Sequence, residues 1–260
     1  VHLKANGISI HYRIDGPDAA PWLIFSNSLA TDLSMWEPQT AELSKAFRIL
    51  RYDQRGHGKT EAPGGRYSFD TLMADVVALM DELSIERAHF CGLSMGGSTA
   101  MGMAQNHSNR LDRVIVCDSP CFSTAAATQQ WEERIAVARS EGMEGLVEST
   151  LARWYPADTL AASPPQVSKV REMILATPVN GFAGCAAALA THDFRSNIGA
   201  VKLPMLLVAG EKDGVVPAAM QDIHREMSTS QFVSLPNAGH ISNLDQPALF
   251  SNALSEFLAE

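Results

Sequence analysis

The sequence predicts one α/β unit built on a mostly parallel sheet, and three observations point there. Short β-branched or aromatic runs, each bounded by Gly, Pro, Asn or Asp, recur along the chain. Helical apolar patterns lie between them, the alternation that a parallel sheet covered on both faces produces. The alternation is interrupted once, over residues 121–199, so an insertion is expected and a second full domain is not. At 260 residues and 46% hydrophobic content, a substantial single core is available.

Leu3 to Asp15 reads as two strands around Asn6-Gly7, a pair suited to the positive φ values of a tight hairpin turn. Candidate buried strands follow at Trp22 to Ser26, Arg48 to Tyr52, Ala88 to Leu93, Arg113 to Cys117, Met205 to Ala209 and Gln231 to Leu235. Phe69 to Leu83 is predicted helical because Leu72, Val76, Leu79, Met80 and Leu83 recur at three- and four-residue spacing; Met95 to Asn106 is a second helix. Beyond Ser119 come helical patterns at Trp131 to Ser140 and Gly145 to Trp154, then Ser163-Pro164-Pro165 and further helix. The expected layout is a core of residues 1–120 and 200–260, with a helical cap of residues 121–199 over the carboxyl ends of the strands, where sites in open α/β sheets form.

Charge and composition narrow the function. Twenty basic against 29 acidic residues leave a formal charge of −9, which argues against nucleic acid or an anionic membrane as partner. No apolar run approaches the roughly 18–20 residues of a membrane span, and the first residues alternate like strands instead of forming a charged-then-apolar leader, so a soluble cytoplasmic protein is expected. Cys91, Cys117, Cys121 and Cys185 show no C-x-x-C pairing, and the histidines show no H-x-x-x-H or His-with-Cys spacing. A G-x-G-x-x-G fingerprint is also missing, and the expected chemistry needs neither metal nor cofactor.

The strongest chemical signal is Gly92-Leu93-Ser94-Met95-Gly96-Gly97, a G-x-S-x-G turn between a predicted strand and a predicted helix. Such a turn presses neighbouring backbone together while holding the serine in a strained conformation, so residues without Cβ are favoured on both sides. It also leaves the Met95 N–H at a helix N-terminus, free to stabilise an oxyanion. A serine hydroxyl needs a base, and the base needs a group that sets its tautomer. His240 follows the last predicted strand and Asp213 the one before it, giving the order Ser, Asp, His. Asp118, just past the Arg113 to Cys117 strand, is the alternative partner for the histidine. The second oxyanion donor is expected in the loop Asn27-Ser28-Leu29-Ala30 after the first central strand, as the Leu29 N–H. The polar stretch Arg51-Tyr52-Asp53-Gln54-Arg55-Gly56-His57-Gly58 reads as a structural turn.

Across nearly the whole chain these residues resemble the 3-oxoadipate enol-lactonases, members of the α/β-hydrolase superfamily. The resemblance is carried by Ser26 to Trp36, by Cys91 to Gly97, by Ala176-Thr177-Pro178 with Gly181 to Cys185, and by Ala238-Gly239-His240-Ile241-Ser242-Asn243, with Ala30 and Phe182 as small departures. It implies an α/β-hydrolase fold and hydrolysis of a small lactone that carries a free carboxylate. A chain at −9 must bind that carboxylate through local cations. Trp131 with Arg134 one turn later, and Arg153 beside Trp154, are the cap residues proposed for it. The triad alone leaves open a carboxylesterase, a carbon-carbon bond hydrolase, a perhydrolase or, in another class, a hydrolase-like ligand receptor.

Overall fold

The computed structural model describes residues 1–260. In chain order the elements are β1 (His2–Ala5), β2 (Ile8–Asp15), β3 (Trp22–Ser26), α1 (Glu37–Leu43), β4 (Arg48–Tyr52), α2 (Phe69–Glu82), β5 (Ala88–Leu93), α3 (Met95–Asn106) and β6 (Leu111–Cys117). Five helices follow without an intervening strand: α4 (Ala125–Glu141), α5 (Glu144–Trp154), α6 (Ala157–Ala162), α7 (Pro165–Ala176) and α8 (Val179–Thr191). The chain closes with β7 (Met205–Gly210), α9 (Val216–Glu226), β8 (Ser230–Leu235), α10 (Ser242–Asp245) and α11 (Pro247–Ala259).

The strands form one sheet in the order β1-β2-β4-β3-β5-β6-β7-β8, antiparallel at the β1/β2 and β2/β4 pairs and parallel from β4 to β8. The hairpin forms where Asn6 and Gly7 both take positive φ, 45° and 78°, matching the twist of the flanking strands. All six residues of β7, and Leu23, Ile24 and Phe25 of β3, are buried. Only helices on both faces bury a strand so completely, and unbroken apolar runs are its sequence form. Strand β6 begins at Leu111, two residues before the sequence-based boundary, because a register shift between Ala88 and Phe90 lets Leu111 pair with Ala88.

The polar turn after β4 is spent on the scaffold. Arg51 pairs with Asp15, Arg55 pairs with Asp75, and Asp53 accepts the N–H groups of Leu33 and Lys59. The helices α4 to α8 leave and rejoin the core at a short bridge between Phe122 and Asp193. Ion pairs of Glu132 with Arg66 and of Lys169 with Glu37 are among the further ties to the core. No single helix is long and apolar enough to cross a membrane. All four cysteines are free and buried.

Candidate active site

Ser94 occupies the turn between β5 and α3 at φ 57°, ψ −112°, a conformation that costs on the order of 1–3 kcal/mol for a residue with a side chain. Surrounding backbone holds it there: the Ser94 N–H donates to Cys117 O at 2.8 Å and the Gly96 N–H to Asn27 O at 3.0 Å. A Cβ on Gly92 would stand 1.9 Å from Gly96 O, and one on Gly96 2.0 Å from Ser26 O. The glycines are therefore required by close approach, and the serine side chain is driven out of the turn toward a cavity.

There the Ser94 Oγ lies 2.9 Å from His240 Nε2, and His240 Nδ1 lies 2.7 Å from Asp213 Oδ2. With Nδ1–H donating to the carboxylate, Nε2 is the unprotonated nitrogen and can take the hydroxyl proton. Both partners are nearly enclosed, with side chains 11% and 8% exposed, so the charge that forms on the imidazole is met by the carboxylate and not dispersed by water. The His240 N–H donates to Trp154 O at 2.7 Å, and the Trp154 ring lies over the imidazole with centroids 5.9 Å apart. Asp118, the alternative acid, does not hold the histidine: fully buried, it accepts the Gly210 N–H at 2.7 Å and binds the Ser242 hydroxyl. The strand register decides this, since β6 delivers Asp118 beneath both loops while the loop after β7 brings Asp213 level with the ring.

Two backbone N–H groups are free for an oxyanion. Met95 is the first residue of α3, so its N–H has no intrahelical acceptor. The Leu29 N–H makes no hydrogen bond within the protein, and Leu29 lines the cavity beside Ser94. The Leu29 loop is held rigidly: Asn27 Oδ1 accepts from Trp36 Nε1 at 3.0 Å, Asn27 Nδ2 donates to Tyr52 O at 2.9 Å, and Gln54 Nε2 donates to Asn27 O at 2.5 Å.

The cavity measures about 220 Å³, and Trp131, Arg134, Arg153 and Trp154 all line it. Arg134 donates from Nη2 to Thr150 Oγ1 at 2.6 Å, while its Nε is buried without a partner. Its guanidinium sits 5.7 Å from the centroid of Trp131 and 5.9 Å from that of Phe182; that of Arg153 lies 5.6 Å from Trp131 on the same cavity wall. Neither arginine has an acidic partner, unlike Arg51 and Arg55 in the core. Burial, and next the charge of Arg153, push the Arg134 guanidinium down to about 10, so it stays cationic at neutral pH but lacks a counter-ion.

The structure also brings to the cavity Thr150, Phe182, Ser98 and His192, which motif reading misses. Thr150 had a legible signal: it sits in the apolar stripe Val147, Thr150, Leu151, Trp154 of α5, where a hydroxyl needs a polar partner. His192, just past α8, had none. No group of three or more His, Cys, Asp or Glu is placed to hold a metal ion.

The family of the alpha/beta hydrolase fold matches residues 21–247. The chain is an α/β-hydrolase. Among similar proteins, 3-oxoadipate enol-lactonase 2 of Acinetobacter baylyi is 34% identical over 252 residues, covering 97% of this α/β-hydrolase and 94% of that protein. The crystal structure of the enol-lactonase from Burkholderia xenovorans LB400 superposes with a TM-score of 0.96 at 40% identity, covering 100% of both chains. A hydrolase from Pseudomonas aeruginosa superposes with 0.95 at 36% identity, covering 100% of this chain and 98% of that one. With these relatives, the α/β-hydrolase is an enzyme of the hydrolase class.

Proposed function

We propose that the protein hydrolyses 3-oxoadipate enol-lactone to 3-oxoadipate through a Ser94 acyl-enzyme, in the cytoplasm, as a step of aromatic catabolism by the β-ketoadipate route and without a cofactor. The observation that carries the reading is the cation without a counter-ion: Arg134 sits half-buried in the cavity that Ser94 opens into, its Nε enclosed, next to Trp131 and Arg153, with no carboxylate of the protein to pair with. Even partial desolvation of an unpaired guanidinium has a cost, which a ligand that supplies the anion offsets. A lactone carrying a free carboxylate does so, and the similarity to enol-lactonases gives that lactone its identity.

In this mechanism the substrate carboxylate binds Arg134, which Thr150 orients, and the lactone carbonyl lies between Ser94 and the Leu29 and Met95 N–H groups. Ser94 Oγ attacks while His240 Nε2 takes its proton, and the tetrahedral oxyanion is held by the two amides. Collapse breaks the ring C–O bond and expels an enolate, a better leaving group than an alkoxide. The imidazolium returns the proton, and tautomerisation gives the ketone. Water, deprotonated by His240, then releases the acyl group as a second carboxylate.

Steady-state comparison of the enol-lactone with 4-nitrophenyl acetate tests the reading. The expected kcat/KM ratio favours the lactone by about 100-fold or more, and Ser94→Ala lowers kcat on both substrates by about 10⁴-fold or more. A preference for the aryl ester would make the protein a general esterase. Turnover that survives Ser94→Ala would end the triad mechanism itself.

A further inference from the structure

Asp118 is the one carboxyl group near the cavity that the mechanism leaves unused. Three features of its setting ask for a role. It is 0% exposed, and it sits at φ 48°, a left-handed conformation that glycine would adopt without strain. Its two oxygens reach different loops: Oδ1 accepts the N–H of Gly210, three residues before Asp213, and Oδ2 binds the hydroxyl of Ser242, two residues after His240. No other side chain from a neighbouring strand is hydrogen-bonded to both triad loops. A turn alone would be served better by glycine, so the strained side chain is retained for what it binds.

We propose that Asp118 is a positioning residue that staples the Asp213 loop to the His240 loop and so holds the histidine in line with Ser94. The inference rests on the triad mechanism above.

The loops already touch upstream of His240. Lys212 N–H donates to Ala238 O at 2.8 Å, and Gly210 packs against Gly239 so closely that a Cβ on Gly210 would lie 2.1 Å from Gly239 O. His240 itself is held by Trp154 O. Downstream, Asn243 is anchored through Met35 and Gln39, on the α1 side of the molecule and not to the acid loop. Asp245 Oδ2 accepts the Gly239 N–H at 2.8 Å and so ties the downstream segment back to the upstream one, but Ser242 on Asp118 is the hydrogen bond that links the downstream side of His240 to the end of β7 through a single side chain. Burial first, and the charge of Asp213 second, push the Asp118 carboxyl well upward, which favours its neutral form. Asparagine imitates that form. It accepts left-handed φ more readily than other side-chain-bearing residues, keeps an acceptor for the Gly210 N–H, and offers a donor to a Ser242 hydroxyl free to rotate.

The test uses the full-length protein with 4-nitrophenyl acetate, a neutral ester that does not need Arg134, together with the rate of Ser94 labelling by a fluorophosphonate. Asp118→Ala is expected to lower kcat by about 100-fold and slow Ser94 labelling in parallel, with KM within about twofold of wild type, because misplacement of the base on the order of 1 Å costs that much. Asp118→Asn is expected to restore kcat to within about fivefold of wild type. Should Asp118→Ala fail to fold, Ser242→Ala decides, with an expected kcat loss of about tenfold at unchanged KM. The proposal is overturned if the folded Asp118→Ala protein, or Ser242→Ala, keeps wild-type kcat, and also if Asp118→Asn is as impaired as Asp118→Ala, which would assign the effect to charge and not to the staple. Wild-type protein that neither turns over the ester nor labels at Ser94 would instead remove the triad reading underneath it.

Discussion

Two pairs of arginines separate the core of this hydrolase from its helical insertion. In the core, Arg55 meets Asp75 through both Nε and Nη2, and Arg51 meets Asp15 in the same two-pronged way, so both guanidinium charges are neutralised within the protein. In the insertion, Arg134 and Arg153 face the cavity without an acidic partner. The core cations hold loops in shape, whereas the cavity cations have no partner within the protein and, on the function proposed above, are the ones that meet the substrate carboxylate. The orphaned Nε is not the distinguishing mark, since Arg48 has one too while paired with Asp18; what sets Arg134 apart is that it has no carboxylate partner and lines the cavity beside Ser94.

Four measurements break or sharpen that contrast. The largest effect is expected at Arg55→Ala, which strands Asp75, 2% exposed, without its cation: a loss of about 3–5 kcal/mol, read as a fall in the thermal midpoint of roughly 6–20 °C. Arg134→Met is expected to do the opposite to stability, leaving it unchanged or slightly raised, while KM for the anionic lactone rises by about 10- to 100-fold and KM for a neutral ester stays put, the loss of one charge-assisted contact of about 1.5–3 kcal/mol. Equal effects on both substrates would dissolve the contrast between the two arginine pairs.

The third concerns pH. His57 is fully buried with Nδ1 on Arg55 O and Nε2 without a partner, and burial lowers its affinity for a proton. Because the unfolded chain binds that proton more readily than the folded one, stability is complete above about pH 6.5 and falls as pH drops below it, by up to about 1.4 kcal/mol per pH unit for each such histidine. Thermal unfolding between about pH 7 and 5 should therefore show a steeper decline in wild type than in His57→Gln. The smallest effect is expected at Ala30, held at φ 58° in the loop after β3. Ala30→Gly relieves that strain and should raise the midpoint by at most about 2–4 °C, a gain of up to about 1 kcal/mol.

Much of the scaffold was legible in the chain. Trp22–Ser26, Arg48–Tyr52 and Ala88–Leu93 are strands with the boundaries that their apolar runs mark, and Met95–Asn106 is the helix expected after the serine turn. Local rules suffice there, because burial on both faces demands unbroken apolar residues and a strained turn demands glycine. The insertion was harder to read. Its helices were recognisable, but the α5 stripe that ends in Trp154 gave no hint that this ring would lie against His240, since a tryptophan on an apolar face looks the same whether it meets a core side chain or an imidazole.

What the chain alone decides here is the set of chemical parts: an elbow serine, a loop histidine, two acids, each past its own strand, and cap residues of the right types. Which acid meets the imidazole, and which arginine loses water without gaining a carboxylate, was settled only by the folded molecule. The first depends on strand register between segments 27 or more residues apart and the second on the packing of α4 against α5 and α8, and local periodicity carries no information about such contacts.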